Sequence, residues 1–444
     1  MPDSNRHVEA AWAYHDATKH SYASIRTNPH FLDFANQPLP FKVYPALEPS
    51  RLPSEVRQTG IAALSAIAES VPAQPPARAN AAPDLEALAQ LLHLSAGITR
   101  HRKYPGGESF FRAAACTGAL YEVELYLVCG GLADLQAGVY HFAPAEFGLR
   151  QLRAGDYRSV LIEASGDEPA IAHAPLTIVC TCTYWRNAWK YQARTYRHFG
   201  WDNGTLLANL LAVSAASGLP AEIVLGFVDA EVNRLLDLDT RREVSLCLVP
   251  IGRTSDNLLP APREAPALGL ETIPLSERVV EYPAMLEVHE ASSLGSIEEI
   301  TPWRGKQPIF PSPALAGETV CLPRLPQEEL PRDTIEQVIL RRGSTRTFDK
   351  TASITLAQLA TILDYATRGL PADFLEPPGA QLNDLYLIVH SVECLKPGAY
   401  FFGREQSTLE LLQEGEFRTQ APSSWSRAGS ASGRMRGHLL SLRF

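Results

Sequence analysis

A lysine next to a tyrosine, within a run of cations and aromatic residues, gives this sequence its clearest capacity for proton chemistry. Lys190 and Tyr191 open a segment that continues through Arg194 to Arg197. A tyrosine hydroxyl can accept a proton if its pKa, about 10 in water, is lowered by a neighbouring ammonium group. These residue types make Lys190 and Tyr191 candidate catalytic residues. The alternative interpretation of these residues is an amphipathic helix with solvated cations.

A second segment, from Arg341 to Phe348, alternates arginines with hydroxyl residues. In an extended chain, the guanidinium groups of Arg342 and Arg346 and the hydroxyl of Ser344 can converge on one phosphate. Arginine suits this role because its planar donors bind an oxyanion in pairs and never lose their charge. A solvated basic turn is the alternative interpretation.

A glycine beside a hydroxyl residue stands shortly before a strand-like run. Thr117 and Gly118 precede the segment Glu124-Leu-Tyr-Leu-Val128. Because glycine has no side chain, such a turn lets backbone N–H groups approach a flat ligand closely. Taken alone, the segment predicts only a turn.

The elements that must position these residues occur twice. Three segment pairs share one offset of 260 residues: Glu124–Val128 with Asp384–Ile388, Gly138–Phe142 with Gly398–Phe402, and Gly155–Arg158 with Gly415–Arg418. Three matches in one register indicate a duplicated unit. Each unit is predicted to open with an amphipathic helix and to pass into paired strands. The first unit continues through a buried strand, a helix from about Asn203 to Ser217 and a closing strand, whereas the second stops early.

These motifs together resemble those of the FMN-dependent nitroreductase superfamily, and most closely those of its SagB-type (azoline-oxidising) dehydrogenases. Arg342-x-Ser344-x-Arg346 resembles the family's flavin phosphate grip. The stretch from Arg112 to Tyr126 resembles the segment that lies against the flavin ring, although Thr117 replaces a serine and the usual prolines are missing. The run from Lys190 to Arg197 resembles the Lys-Tyr-x-x-Arg-x-Tyr-Arg signature, in which the Lys-Tyr pair performs the proton chemistry.

The resemblance implies an α+β, nitroreductase-like fold with a central, mostly antiparallel sheet flanked by helices, here duplicated. It implies FMN as the cofactor, with ligands from both units. The residues expected to bind it are Arg342, Ser344, Arg346, Arg112, Thr117, Gly118, Ala119, Tyr121, Arg194 and Asn209. Because the family usually forms homodimers with flavin at the interface, we expect one composite site in an intramolecular pseudo-dimer, with a homodimer as the alternative.

The expected domain organisation follows from the repeat and from the prolines. Residues 255–331 hold 12 of the 34 prolines, which indicates an extended connector over the surface, and residues 72–83 are the expected flexible hinge. The chain divides into an N-terminal arm (1–70), a first copy (84–253), a Pro-rich connector (254–330), a partial second copy (331–421) and a disordered tail (422–444).

Composition excludes several classes of partner. A formal charge of −9 and a pI near 5.8 argue against general binding to nucleic acid or anionic membranes. Seven scattered cysteines indicate a reducing compartment, and no second pair lies at zinc-ligand spacing, so we expect no metal. Because the N-terminus has no apolar signal-peptide core, we expect a cytoplasmic protein with a small-molecule or peptide substrate.

The sequence therefore favours an FMN-dependent oxidoreductase that oxidises an azoline in a ribosomally made peptide. Two alternatives stay open. One is an NAD(P)H-dependent nitro- or quinone reductase, and the other is a non-catalytic flavin-binding or scaffold subunit.

Overall fold

The computed structural model describes most of the 444-residue chain. The described residues are 7–21, 24, 30–55, 57–70, 81–105, 107–254, 261, 263–305, 313–345, 347–349, 351–375, 382–418 and 437–440. Arg346 of the predicted phosphate grip and residues 72–80 of the predicted hinge lie outside them. Within these ranges, no helix has the length and hydropathy needed to cross a membrane.

The described residues of the first half contain eight strands. They are β1 (Ser50–Arg51), β2 (Ile98–Tyr104), β3 (Gly107–Arg112), β4 (Val123–Cys129), β5 (Gly138–Ala143), β6 (Gly148–Ala154), β7 (Leu176–Thr183) and β8 (Glu243–Ile251). Six form a sheet in the order β1-β6-β5-β4-β7-β8, and every neighbouring pair is antiparallel. β2 and β3 form a separate hairpin. Every residue of β4 and β7 is buried, which explains their nearly continuous apolar sequences.

Helices cover both faces of this sheet. They are α1 (Val8–Thr18), α2 (Ala63–Glu69), α3 (Leu85–Ala96), α4 (Arg158–Ala164), α5 (Pro169–Ala172), α6 (Tyr184–Tyr191), α7 (Thr195–Ala216) and α8 (Asp229–Leu235). Alternate strand residues point to opposite faces. Leu125 and Leu127 pack in one core with α3 and α7, whereas Tyr126 and Val128 pack in another with α4 and α8. The predicted α+β architecture with an antiparallel sheet is confirmed.

The second half carries a smaller sheet. The helices and strands described between residues 283 and 440 are α9 (Pro283–Ser292), α10 (Ile297–Trp303), β9 (Thr319–Cys321), α11 (Ile335–Arg341), α12 (Leu356–Ala366), β10 (Asp384–Val389), β11 (Gly398–Gly403), β12 (Thr408–Glu414) and β13 (Gly437–Leu440). The strand order is β13-β10-β11-β12-β9. α9, α10 and β9 lie in the segment predicted to be an extended connector, so that segment is more regular than expected. Pro283 begins α9, where the missing N–H group costs nothing.

Local geometry in the two sheets follows the same 260-residue offset as the sequence. β11 and β12 begin and end 260 residues after β5 and β6. A register shift falls between Val139 and Tyr140 in the first sheet and between Ala399 and Tyr400 in the second. Isolated bridges join Leu132 to Leu135, and Val392 to Leu395, at the same offset.

The two sheets differ in the strand that pairs with the equivalent strands β4 and β10. β4 pairs with β7 in an antiparallel orientation, whereas β10 pairs with β13 in a parallel one. Residues 437–440, which fall in the segment predicted to be a disordered tail, form β13 beside β10, and the other residues of that segment lie outside the described ranges.

The two halves meet through a reciprocal backbone contact. Ala63 N donates to Asp333 O at 2.9 Å, and Ile335 N donates to Ile61 O at 3.0 Å. The two bonds form an isolated antiparallel bridge between Ala62 and Thr334. α2 and α11 begin directly after it.

The buried carboxylate of Glu336 reinforces this junction. Its Oε1 atom accepts hydrogen bonds from Thr59 N (2.9 Å), Thr59 Oγ1 (2.7 Å) and Gln90 Nε2 (3.0 Å). Burial opposes ionisation, but the hydrogen bonds from Thr59 outweigh it and lower the pKa of Glu336. The carboxylate thus ties α11 to the first half.

We predict that Glu336→Ala lowers the free energy of unfolding by about 1–3 kcal/mol, because three donors lose their acceptor inside the junction. Urea denaturation measures the change. Glu328→Ala, at an exposed position of the same segment, should stay within about 0.5 kcal/mol of the parent protein. Equal stabilities for the two variants would contradict the assignment of Glu336 to the junction.

Candidate functional site

A loop between β3 and β4, residues 113–122, forms the centre of the candidate site and is called the Gly118 loop below. It contains a 3₁₀ turn at Thr117–Ala119. The φ angles of Gly118, Ala119 and Tyr121 are +68°, +56° and +54°. Only glycine adopts this left-handed region freely, so the two other residues need support from their surroundings.

Buried polar groups of α6 and α7 hold the Gly118 loop in shape. Asp202 of α7 accepts hydrogen bonds from Thr117 N at 2.8 Å and Thr117 Oγ1 at 2.9 Å. Arg186 of α6 donates to Tyr121 O at 2.8 Å and to the carboxylate of Glu124 at 2.6 Å. Arg186 is 1% exposed. Asp202 and Arg186 therefore fix the two ends of the turn.

The predicted catalytic pair lies at this loop. Tyr191 is the last residue of α6, and a Cβ atom at Gly118 would stand only 2.9 Å from the Tyr191 hydroxyl oxygen. Gly118 thus allows the close approach between loop and tyrosine. Lys190 Nζ lies 5.4 Å from the centroid of the Tyr191 ring.

The predicted lowering of the Tyr191 pKa is not found. Burial raises this pKa, and the nearby groups of Asp202, Cys116 and Glu122 raise it further. Lys190 lies over the ring of Tyr191, and its ammonium group does not outweigh these effects. The Tyr191 hydroxyl therefore keeps its proton at neutral pH.

The segment predicted to bind phosphate reaches the same loop from the second half of the chain. Arg342 Nη2 donates to Ala113 O at 3.2 Å. Arg342 and Ser344 are both exposed. A Cβ atom at Gly343 would lie 3.6 Å from Arg100 Nη1, so the β2–β3 hairpin adds a second guanidinium group beside the segment. Cationic and hydroxyl groups from both halves therefore stand next to the Gly118 loop.

Three other residues predicted to bind the cofactor are engaged with the protein backbone. Arg112 is 4% exposed and donates to Pro40 O at 3.2 Å and to Val123 O at 3.4 Å. Arg194 donates to Thr18 O of α1, and Asn209 donates to Leu94 O of α3 at 3.0 Å. In this structure each of them holds a neighbouring segment against the site.

A cluster of one thiol and two carboxyl groups was missed by the sequence analysis. Cys116 donates to Glu122 Oε2 at 3.3 Å and to Asp202 Oδ2 at 3.4 Å. Burial, followed by the effect of Asp202, raises the pKa of Glu122 to about 8. The cluster was missed because Asp202 is remote in sequence. An acid within an apolar helix and an acid just before a buried strand were the available signals.

Among the described residues, this cluster alone has donor atoms close enough to hold a metal ion, all within 4.8 Å of one another. Its members already bond to each other and to Thr117, and no fourth His, Cys, Asp or Glu of the described residues joins them. The arrangement fits hydrogen bonding better than a closed four-ligand site. The absence of a metal stays a prediction.

Comparison with known proteins finds similarity over part of the chain. Residues 78–253 match the model of the nitroreductase family. MJ1384 of Methanocaldococcus jannaschii, which is named as a nitroreductase, is 25% identical over 169 residues, or 38% of this chain and 80% of that protein. The microcin B17-processing protein McbC of Escherichia coli is 27% identical over 161 residues, or 35% of this chain. The match spans 56% of McbC.

A solved structure resembles the chain over a longer range. A protein of Anabaena variabilis that is named as a nitroreductase aligns with a TM-score of 0.65 and 23% identity. The alignment covers 93% of this chain and 80% of that one. The nitroreductase-like fold therefore extends beyond the residues matched by the family model.

We predict that Gly118→Ala lowers the free energy of unfolding by at least about 1–2 kcal/mol, because alanine disfavours φ of +68° and its Cβ would meet the Tyr191 hydroxyl. Gly204→Ala in α7 is the control, since nothing lies within 4 Å of its Cβ and alanine favours helix. Chemical denaturation distinguishes them. A Gly118→Ala protein as stable as the Gly204→Ala protein would refute the described loop geometry.

Proposed function

We propose that this chain, whose residues 78–253 form a nitroreductase-family domain, is an FMN-dependent oxidoreductase with one composite flavin site. The observation that carries the proposal is the contact of Arg342 with Ala113 O, since it brings a guanidinium group from the second half to the Gly118 loop of the first. We interpret the 260-residue correspondence as a duplication, in which the second copy supplies the phosphate grip.

The residues present fit FMN in kind and in placement. A flavin phosphate needs exposed cations and a hydroxyl group, and Arg342, Arg100 and Ser344 stand close together at the surface. A flavin ring is flat and needs backbone N–H groups that can approach it closely. The left-handed turn at Gly118 leaves room for this approach because Gly118 has no side chain. Arg112 and Tyr121 line the inner wall of a small cavity behind this turn.

The proposed reaction is the oxidation of an azoline ring in a peptide. Two observations support this substrate class: Lys190 and Tyr191 lie at the Gly118 loop, and the chain is similar to McbC, which processes microcin B17. Oxidation of such a ring removes a hydride and a proton. Bound FMN would supply the hydride acceptor, a role that no side chain can fill.

The chain itself orients the substrate and manages the proton. Tyr191, which keeps its proton, can donate a hydrogen bond to a ring heteroatom. Lys190 lies on the face of the same tyrosine and places a positive charge beside the Tyr191 ring. His198 packs edge-on against Tyr191, and burial lowers its pKa to about 4, so this histidine is neutral at physiological pH.

We predict that Arg342→Ala weakens FMN binding by about 10- to 150-fold, the loss of one charge-assisted hydrogen bond of about 1.5–3 kcal/mol. Fluorescence titration of the flavin measures the dissociation constant. The adjacent Arg341, which is exposed and pairs with Asp333 at 2.8 Å, provides the matched control, and Arg341→Ala should bind FMN as the parent does. Equal affinities in the two variants would rule out the composite site.

A parent protein that is colourless and takes up no added FMN would contradict the proposed function and favour a scaffold role. Bleaching of the bound flavin by NADH or NADPH would instead favour a nitro- or quinone reductase over an azoline dehydrogenase.

We predict that Tyr191→Phe lowers turnover of an azoline peptide by about 10²- to 10⁴-fold while FMN affinity stays unchanged, because only the proton-carrying hydroxyl is removed. Tyr196→Phe, whose hydroxyl bonds to His289 at 3.2 Å, is the control within the same motif and should keep most of the activity. Mass spectrometry of the peptide, which loses two hydrogens on oxidation, reports the result. Full activity of Tyr191→Phe would exclude a catalytic role for this residue.

A further inference from the structure

Two carboxyl groups without a cationic partner lie buried beneath the Gly118 loop. Glu122 is 0% exposed and Asp202 is 5% exposed. Neither forms an ion pair with a lysine, arginine or histidine in the described ranges. The Oε1 atom of Glu122 is buried and has no hydrogen-bond partner among the described residues. Two adjacent buried carboxylates with no compensating charge repel each other strongly, so one of them must hold a proton.

The surroundings of the pair assign that proton to Glu122. Asp202 accepts two hydrogen bonds from Thr117, which stabilise its charged form. Glu122 accepts a weak bond from the Cys116 thiol at 3.3 Å, and its hydrogen bond with Asp202 favours the protonated form of Glu122. Burial and the charge of Asp202 accordingly raise the pKa of Glu122 to about 8.

Four titratable groups of the surrounding elements interact electrostatically with the pair: Cys116 of the loop, Cys182 of β7, Tyr191 of α6 and His198 of α7. Arg112 of β3 and Tyr121 of the loop line the same small cavity as Asp202. Burial raises the thiol pKa values of Cys116 and Cys182 and lowers the imidazole pKa of His198, so these groups are neutral at pH 7. Arg112 is the one cation, and it donates to two backbone carbonyls.

We propose that Glu122 and Asp202 form a carboxyl pair that shares one proton and serves as the proton acceptor for the substrate site, acting through Tyr191. This inference rests on the proposed function. Tyr191 is the link because its hydroxyl lies against Gly118 of the same loop, and because both carboxyl groups raise its pKa. A tyrosine that keeps its own proton cannot serve as the final acceptor, whereas a carboxyl pair with one vacant proton position can.

The proton balance of the step is complete. Bound FMN would supply the acceptor for the hydride that leaves the substrate C–H bond, and the proton from the adjacent position goes to the Tyr191 oxygen. The hydroxyl proton of Tyr191 passes at the same time to the carboxyl pair. When Glu122 is ionised, the pair carries two negative charges and accepts a proton more readily, so turnover should rise through pH 8.

The shared proton is tested first on flavin-free protein. Glu122→Gln keeps the shape of the side chain and fixes it in a neutral form. In the infrared spectrum, the carbonyl band of a protonated carboxylic acid should disappear in the parent with a midpoint near pH 8, and this component should be missing in Glu122→Gln. In Asp202→Asn, which keeps an acceptor for Thr117, the midpoint should move to lower pH because the neighbouring charge is gone.

Stability gives a second readout with a defined sign. Because the folded state binds the Glu122 proton more tightly than the unfolded state, this group makes the protein less stable as pH rises from 4.5 to about 8. In Glu122→Gln, the free energy of unfolding should therefore change less steeply with pH, by an amount that corresponds to at most one bound proton. Glu222→Gln is the matched control, since burial raises the pKa of Glu222 to about 7 and this residue lies outside the cluster.

The pH profile of azoline oxidation separates a proton-exchanging role from a structural one. The rise near pH 8 should be lost in Glu122→Gln and retained in Glu222→Gln. An unchanged rise in Glu122→Gln would overturn the proposal, as would stoichiometric binding of Zn²⁺ that depends on Glu122. Protein that shows the infrared titration but binds no FMN would overturn the exchange with substrate and, separately, the proposed function.

Discussion

The reciprocal contact between residues 61–63 and 333–335 is the constraint on which the rest of the structure depends. It sets α11 beside α2, and α11 ends at Arg341, directly before the Arg342 segment. The position of the Arg342 segment, the proposed phosphate grip, is therefore fixed by backbone hydrogen bonds and by buried Glu336, although this segment lies more than 200 residues from the Gly118 loop in sequence. A two-subunit interface would achieve the same juxtaposition at the cost of association entropy, which a single chain avoids.

The second requirement is a rigid Gly118 loop, and its rigidity has an electrostatic cost. Left-handed residues at Ala119 and Tyr121 persist because Arg186 and Asp202 bond to the loop from fixed helices. Arg186 is neutralised by Glu124, but neither Asp202 nor Glu122 forms an ion pair with a cation of the described residues. Burial, together with this uncompensated charge, raises the pKa values of both Tyr191 and Glu122.

The sequence alone predicted the features that depend on local patterns. The paired strands and their recurrence at 260 residues follow from periodicity and spacing, whereas the mostly antiparallel nitroreductase-like sheet was expected from the family resemblance. It did not predict groups that meet only through folding. Asp202 and Glu122 are 80 positions apart in sequence. Lys190 lies over the ring of Tyr191 without lowering the pKa of this tyrosine. In the connector, Pro283 begins a helix where the sequence predicted extended chain.

The central claim is that Arg342 recognises a phosphate across the junction between the halves. It is tested most directly by comparing FMN with riboflavin, which lacks the phosphate, in the parent protein and in Arg342→Ala. The account predicts that the parent binds FMN more tightly than riboflavin by at least about 10-fold, and that most of this preference is lost in Arg342→Ala while riboflavin affinity is unchanged. An equal preference for FMN in both proteins would contradict it.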